Sequence, residues 1–222
     1  MNDSTVWFGR TVALIVFFGV AAIWFWRSRS TAAHTPTVAS SWQAFAKQVQ
    51  GQYRENPLQF RKQVEMQAGQ FQLTLETYSS ADYSPADSTF TYMRGAFIPK
   101  KAFELSLQPR NIKSAVQTNL SAGDIITTDI DGLETRFEIR STDAAQARTF
   151  LTDSAVRQAL LSQPSGALII APKITALNKP ERGGQWQVLF GGEESIRDVQ
   201  RLHALRQLVL AALTQLARQG AA

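Results

Sequence analysis

Apolar side chains change their spacing several times along this chain, and each spacing predicts a different structural element. Near the N-terminus, the run Val6–Trp26 is apolar almost throughout. A bilayer core about 30 Å thick needs roughly 20 helical residues, which is the length of this run. The run therefore predicts a single transmembrane helix, within an anchor that spans residues 1–27.

Side chains that favour a membrane interface lie at both ends of the predicted span. Arg10 lies near one end, where its aliphatic stem can stay apolar while its guanidinium reaches the headgroups. The other interfacial residues are Trp7, Trp24, Trp26, Arg27 and Arg29. The bulky end of the run favours an anchor over a cleavable signal peptide. The positive-inside rule predicts that the rest of the chain faces the cytoplasm.

Beyond the span, the pattern predicts a flexible tether followed by one folded domain. Residues 28–41 are rich in Ser, Thr and Ala, a composition typical of a tether. From Trp42, apolar residues recur at helical spacing, and Ser40 or Ser41 can cap the helix. The predicted apolar face contains Trp42, Phe45, Ala46, Val49 and Tyr53. The soluble domain is expected to cover residues 42–222.

A spacing of two residues then predicts strands. Val64 and Met66 alternate before a turn at Ala68-Gly69, and Phe71, Leu73 and Leu75 alternate after it, which indicates a hairpin. Further strands are predicted at Phe90–Tyr92, Phe103–Leu107, Leu133–Arg140, Ala167–Ala171, Ile174–Leu177 and Trp186–Phe190, with Pro109 outside the second of these. Tyr78–Ser88 is predicted to be a long loop, and Asn111–Leu120 a short helix.

Three later helices complete the expected fold. Thr142 or Asp143 can cap one that runs to Phe150, and Thr152 or Asp153 can cap the next. The final helix, Glu194–Arg218, has Glu193 and Glu194 at its start and is apolar on nearly every face at Leu208–Leu213. Such a helix is either the core of the domain, which we favour, or a partner surface. Strands and helices come in blocks with antiparallel hairpins, and this predicts an α+β fold.

Composition and charge narrow the function classes. The chain has no cysteine, which excludes a disulfide-stapled module. Its net charge of +5 is not gathered into the basic stripe of a nucleic-acid binder. The nearest approach is Lys100, Lys101, Arg110 and Lys113, which we interpret as solvated surface or as residues facing anionic headgroups. We therefore expect no nucleic-acid partner.

Candidate catalytic and metal-binding residues are few. His34 and His203 form no ligand pair, and no phosphate-binding glycine loop or nucleophile elbow occurs. The best metal candidate is a calcium-loop-like spacing of Asp129, Asp131 and Glu138 around Gly132. Thr127 replaces the first acid of that loop, and Glu138 is predicted to lie in a strand, so a turn explains the pattern better. We expect no cofactor and no enzymatic activity.

Several short motifs occur in a recognisable order. They are a Trp-x-x-aromatic-Ala helix, a hairpin that turns at a glycine, and a Gly-Asp before a strand ending in Phe-x-hydrophobic. The residues are Trp42, Phe45, Ala46, Gly69, Phe71, Leu73, Gly123, Asp124, Phe137, Ile139 and Leu151. In this layout the chain resembles a family of uncharacterised bacterial single-span membrane-anchored proteins. The resemblance implies an anchored domain and implies no activity.

The sequence therefore favours a non-enzymatic accessory or scaffold subunit of a bacterial membrane complex. Its expected partners are the lipid bilayer and other membrane proteins. The alternative is a membrane-tethered module that binds a lipid or small ligand, and an enzyme is the third candidate. Within the predicted long loop, Tyr78, Tyr83 and Pro85 are the candidate contact residues, since loops often carry contacts.

Overall fold

A nine-stranded antiparallel sheet organises the part of the chain that the structure describes. The computed structural model describes residues 37–56, 61–79, 89–101, 103–110, 123–172, 184–192 and 195–220. The strands are β1 Gln52–Asn56, β2 Arg61–Ala68, β3 Phe71–Ser79, β4 Thr89–Phe97, β5 Leu105–Pro109, β6 Asp124–Ile125, β7 Phe137–Ser141, β8 Ala167–Pro172 and β9 Trp186–Gly192. Their order across the sheet is β1-β2-β3-β4-β9-β8-β5-β7-β6.

Five helices are found in the same described ranges. They are α1 Val38–Gln48, α2 Leu133–Arg136, α3 Ala144–Thr152, α4 Ser154–Leu161 and α5 Val199–Arg218. Their buried side chains join those of the strands in one main apolar core. The predicted α+β class with a C-terminal helix is thus confirmed. None of these helices is both long and apolar enough to cross a membrane, and the predicted span Val6–Trp26 lies outside the described residues.

Helix α5 lies at the centre of the main core. Leu202, Leu205, Leu208, Val209, Ala212, Leu213 and Leu216 are all buried, so the prediction of a core helix is correct. The helix passes very close to β4 at Gly95. A Cβ atom at this position would lie 2.5 Å from Leu213 Cδ1 and 2.8 Å from Leu73 Cδ2. Glycine is therefore what lets α5 pack against the sheet here.

A buried hydrogen bond ties α1 to the segment before α5. The Trp42 side chain is fully buried, and its Nε1–H donates to the carbonyl oxygen of Ile196 at 3.0 Å. The backbone N–H of Ile196 in turn donates to Thr91 Oγ1 at 3.3 Å. Because a buried indole N–H needs a partner, this bond fixes where α1 lies on the domain.

Predictions that depend only on residues close together in the sequence, such as a hairpin and two helix caps, are confirmed. β2 and β3 form the predicted hairpin around Gly69, whose φ of +61° suits the left-handed turn. The Asp143 side chain caps α3 by accepting from the Gln146 N–H at 3.0 Å. Asp153 caps α4 by accepting from Ala155 and Val156. The strands predicted around Phe90 and Trp186 are also present.

Both ends of the first helix were predicted wrongly. The helix begins at Val38 rather than Trp42, because Thr37 Oγ1 accepts from the Ser40 N–H at 3.1 Å and acts as the cap. It ends earlier than predicted, since Gln50 adopts a left-handed φ of +54°. Tyr53, which was assigned to the helix, therefore lies in β1, where it still packs against the main core.

Four other boundaries differ from prediction. Leu133–Arg136 is a helical turn, so β7 begins at Phe137. Helix α5 begins at Val199 because Asp198 caps it by accepting from the Gln200 N–H, and Glu193 and Glu194 lie outside the described residues. Pro109 is the last residue of β5, paired with Phe137. Tyr78 lies in β3 rather than in a loop. The elements predicted at 111–120 and 174–177 lie outside the described residues.

Candidate functional site

The face of the sheet that points away from the main core, here the second face, has a small apolar cluster of its own. Ile169 and Ala171 are buried there, with Tyr92 and Leu189 packed against them. Ile169 pairs directly with Leu189, and both alternate with residues that face the main core. All four of these described residues belong to strands.

Tyr92 lies on Gly191, its cross-strand partner on the second face. A Cβ atom at residue 191 would lie 2.2 Å from Tyr92 Cδ1 and 2.7 Å from Cε1. The ring thus occupies the space that a side chain would fill, and it restores apolar contact where the glycine supplies none. This pairing fixes the orientation of the Tyr92 ring.

Beside the apolar cluster, the second face carries a charged network across three strands. Glu76 on β3 forms ion pairs with Arg61 on β2 and with Arg94 Nε on β4, the latter at 3.3 Å. The Glu76 side chain is only 12% exposed, so its carboxylate is shielded and needs both partners. The network leaves one positive charge in excess beside the apolar cluster.

One end of β4 has a different character, and we call Phe97–Lys101 together with Trp186 the β4 tip. Ile98 is 69% exposed, and it is one of two strongly exposed large apolar side chains among the described residues, with Ile125. The Phe97 and Trp186 rings pack at 6.5 Å between centroids. Lys100 is exposed. The β4 tip therefore combines an aliphatic, an aromatic and a basic component.

Acidic groups also lie near the β4 tip. Lys101 Nζ is 3.0 Å from Asp143 Oδ2, and the Lys101 side chain remains 66% exposed in this pair. The hydrogen bond from Gln146 N–H and the one from Lys101 lower the pKa of Asp143. Burial raises the pKa of Glu104, which follows the β4 tip in the chain. Lys101 is thus ion-paired with Asp143, while Lys100 is an exposed lysine at the tip.

The Thr127–Gly132 loop, whose calcium-like spacing is better explained as a turn, is held by the Glu134 side chain, which the sequence did not single out. The Glu134 carboxylate accepts from the backbone N–H groups of Thr128 and Asp129, the latter at 2.8 Å. These bonds lower the pKa of Glu134. Glu138 lies on β7 and pairs with Arg140 at 2.7 Å. The structure does not gather Asp129, Asp131 and Glu138, since no cluster of three or more potential metal-ligating side chains occurs among the described residues.

His203 packs between two helices. Its Nε2 lies 2.6 Å from Gln48 Oε1, and its ring packs edge-on against Phe45 at 5.0 Å. Both partners belong to α1, so His203 joins α5 to α1. Its surroundings within the described part of the chain offer it no catalytic partner.

One recess formed by described residues, near the start of α5, can be compared with known ligand sites. Its cavity volume is about 10 Å³, it is partly open to solvent, and it is lined by Thr91, Gln163, Ser165, Ile196, Arg201 and Leu205, among others. Sites for small molecules usually measure about 300–1,000 Å³. The recess lies below that range.

The other predicted site residues divide between described and undescribed parts of the chain. The backbone of Tyr78 pairs with that of Phe90 in the sheet. Tyr83 and Pro85 lie outside the described residues, as do the anchor residues Trp7, Arg10, Trp24, Trp26, Arg27 and Arg29. The β4 tip was only half anticipated, because Lys100-Lys101 was visible in the sequence whereas the exposure of Ile98 was not.

The described fold is that of an α+β protein with a wide antiparallel sheet. No protein-family model matches the chain, and no curated protein matches it. Among solved structures, the chain is similar to the mycobacterial trehalose monomycolate transport factor A, TtfA, with a TM-score of 0.53 and 12% sequence identity. The likeness covers 81% of this chain and 94% of that chain. At this identity the likeness establishes a shared fold.

Proposed function

We propose that this chain is a non-enzymatic accessory subunit of a bacterial membrane transport complex, anchored by Val6–Trp26 with its folded domain in the cytoplasm. The likeness of fold to a protein named as a transport factor carries the proposal, because it extends over 94% of that protein. A fold alone does not fix a function. The apolar run in the sequence is an independent observation that favours the membrane.

The side chains of the described domain fit a role in binding better than one in catalysis. Two of the groups with altered pKa have structural partners: Asp143 caps α3, and Glu134 holds the Thr127–Gly132 loop. Perturbed groups that serve a reaction are expected to converge in a cleft. Asp143 and Glu134 instead hold a helix end and a turn. An accessory subunit needs a rigid surface, and this arrangement supplies one.

The experiment that tests the proposal is isolation of the full chain with its neighbours. The tagged chain would be crosslinked in native membranes, extracted in a mild detergent and analysed by mass spectrometry. We expect an integral membrane transporter to co-purify in a fixed ratio. A matched control is a tagged single-span protein with an unrelated domain, expressed at the same level. If the chain is recovered only as a free monomer, the proposal is wrong.

The same preparation separates the alternative of a lipid-binding or ligand-binding module. Native mass spectrometry of the purified chain would detect a bound small molecule that survives removal of detergent. A molecule bound in a fixed ratio, without a protein partner, would favour that alternative. We expect the protein partner and no such molecule, because the described recess is below the size of typical small-molecule sites.

A further inference from the structure

We infer that the β4 tip, Phe97–Lys101 with Trp186, contacts the surface of an anionic lipid bilayer. The inference deepens the proposed function and rests on its membrane attachment. It assigns to the folded domain a second point of contact with the bilayer, separate from the predicted span. The partner is identified by chemistry alone, as an apolar layer covered by negatively charged headgroups.

The apolar component of the β4 tip is Ile98. Its side chain is 69% exposed, whereas the preceding Phe97 is buried. Single exposed aliphatic residues are common and need no partner. The position of Ile98 sets it apart, because it follows the end of a strand and is followed, after Pro99, by two lysines. An aliphatic side chain in this setting can enter the boundary between headgroups and acyl chains.

The basic component supplies the charge complementarity. Lys100 is exposed, and no described residue forms an ion pair with it. Lys101 keeps 66% of its side chain exposed although it pairs with Asp143. The acidic groups nearby are Asp143, which pairs with Lys101, and Glu104. Lysines close to a membrane are attracted by the negative surface potential of anionic lipids.

The aromatic component fits the boundary of a bilayer. Trp186 is half-buried beside Phe97, with 6.5 Å between their ring centroids. Tryptophan is enriched where an apolar layer meets water, because its ring is amphipathic. An aliphatic tip, neighbouring lysines and a flanking tryptophan together form the arrangement expected at such a boundary.

The chain is long enough to allow contact at this end of β4. The Trp42–Ile196–Thr91 hydrogen bonds place α1 near the opposite end of β4 from Ile98. Residues 91 to 98 span about 23 Å at roughly 3.3 Å per strand residue. The ten residues between Trp26 and Thr37 can extend to about 33–36 Å. The predicted anchor therefore does not prevent the β4 tip from meeting the bilayer.

The chain contains no cysteine, so a single introduced cysteine can be labelled without background. The full chain carrying Ile98→Cys would be labelled with a polarity-sensitive fluorophore and reconstituted into vesicles. One set of vesicles would contain phosphatidylcholine alone, and the other equal parts of phosphatidylcholine and phosphatidylglycerol. Ile125→Cys is the matched control, since Ile125 is also an exposed isoleucine, 58% exposed, in another strand. Lipids that carry a quencher in the acyl chain would report insertion.

We expect the label at residue 98 to shift to shorter wavelength and to be quenched in the anionic vesicles. Quenching should be at least about twofold stronger than at residue 125, and added salt or Lys100→Gln/Lys101→Gln should reduce it by screening or removing the attraction. Equal quenching at both positions, or equal quenching in the two kinds of vesicle, would overturn the inference. Circular dichroism of each variant would confirm that it folds.

The outcome can be separated from that of the proposed function. If a transporter co-purifies but the label at residue 98 stays in water, the inference fails and the proposed function stands. If the label enters the bilayer but no partner is found, the inference stands and the proposed function fails. Shielding of the label only when a co-purified protein is present would identify a protein contact at the β4 tip, and that result would also overturn the inference.

Discussion

Replacing Gly95 tests the packing of α5 against the sheet most directly. In Gly95→Ala, the new Cβ would lie 2.5 Å from Leu213 Cδ1, about 0.9 Å short of the 3.4 Å at which ordinary contact begins. It would also lie 2.8 Å from Leu73 Cδ2. Leu73 and Leu213 are fully buried, so neither side chain has open space to move into. Overpacking of this kind usually costs about 1–3 kcal/mol.

The expected change in thermal stability follows from the size of the chain. For a domain of about 150–250 residues, each kcal/mol shifts Tm by roughly 2–4 °C, so Gly95→Ala should lower Tm by about 2–12 °C. Gly192→Ala is a matched control on the neighbouring strand, because a Cβ there meets nothing closer than 3.6 Å. Its Tm should differ little from that of the unmodified chain. Circular dichroism of the full chain in mild detergent provides the measurement.

A second substitution tests whether the Leu213 side chain is the group that the new Cβ atom at residue 95 meets. Leu213→Ala alone should destabilise the domain by about 2–5 kcal/mol through loss of buried volume. In the double variant, the shortened side chain makes room for the new Cβ, so the combined loss should be smaller than the sum by about 0.5–3 kcal/mol. Strict additivity would refute the close approach of α5 to Gly95. So would a Gly95→Ala variant as stable as Gly192→Ala.

Three further predictions concern other contacts. Trp42→Phe leaves the carbonyl of Ile196 without its donor, which should cost about 1–3 kcal/mol in the free energy of unfolding measured in urea; an unchanged urea midpoint would contradict this. The pKa of the Glu134 carboxyl group is lower in the folded chain than its ordinary value of 4.5. The ionised carboxylate therefore stabilises the fold above the ordinary value, and this stabilisation is lost as the pH falls through the lowered pKa. The difference in urea midpoint between the unmodified chain and Glu134→Gln should shrink from pH 7 towards pH 3, and a constant difference would count against it. Calcium should not change Tm, because the acids near Asp129 are not gathered into a site; a rise in Tm with calcium concentration would show binding.

The parts of the fold that could be predicted depend on neighbouring residues alone. The hairpin around Gly69 follows from alternation and a turn, and the Asp143 and Asp153 caps follow from side chains beside the helix ends that they close. Tyr53 illustrates the limit of such reasoning. It continues the helical spacing of Trp42 and Phe45, yet Gln50 ends the helix with a left-handed φ and Gly51 lets β1 lie close to Glu65. Where α1 ends therefore depends on how the next strand pairs in the sheet, and the local sequence pattern does not specify that pairing.

The candidate surfaces depend still more on tertiary contacts. Lys100 and Lys101 were visible in the sequence as a basic pair, but the exposure of Ile98 is decided by which neighbours pack around the end of β4. Tyr92 was predicted to lie in a strand, whereas its position over Gly191 requires β9 to lie beside β4. These strands are about a hundred residues apart in the chain. Sequence periodicity identifies a strand but does not determine which other strand lies beside it.

The position of β9 has a consequence for how the protein is made. β9 lies between β4 and β8, so it joins strands β1–β4 to strands β5–β8. It is also the last strand to be synthesised, and only α5 follows it within the described residues. Until β9 leaves the ribosome, β4 and β8 each present an unpaired edge, and such edges are prone to aggregation. Closure of the domain is therefore a late event in translation, and a chain truncated before Trp186 would be left as two separate half-sheets.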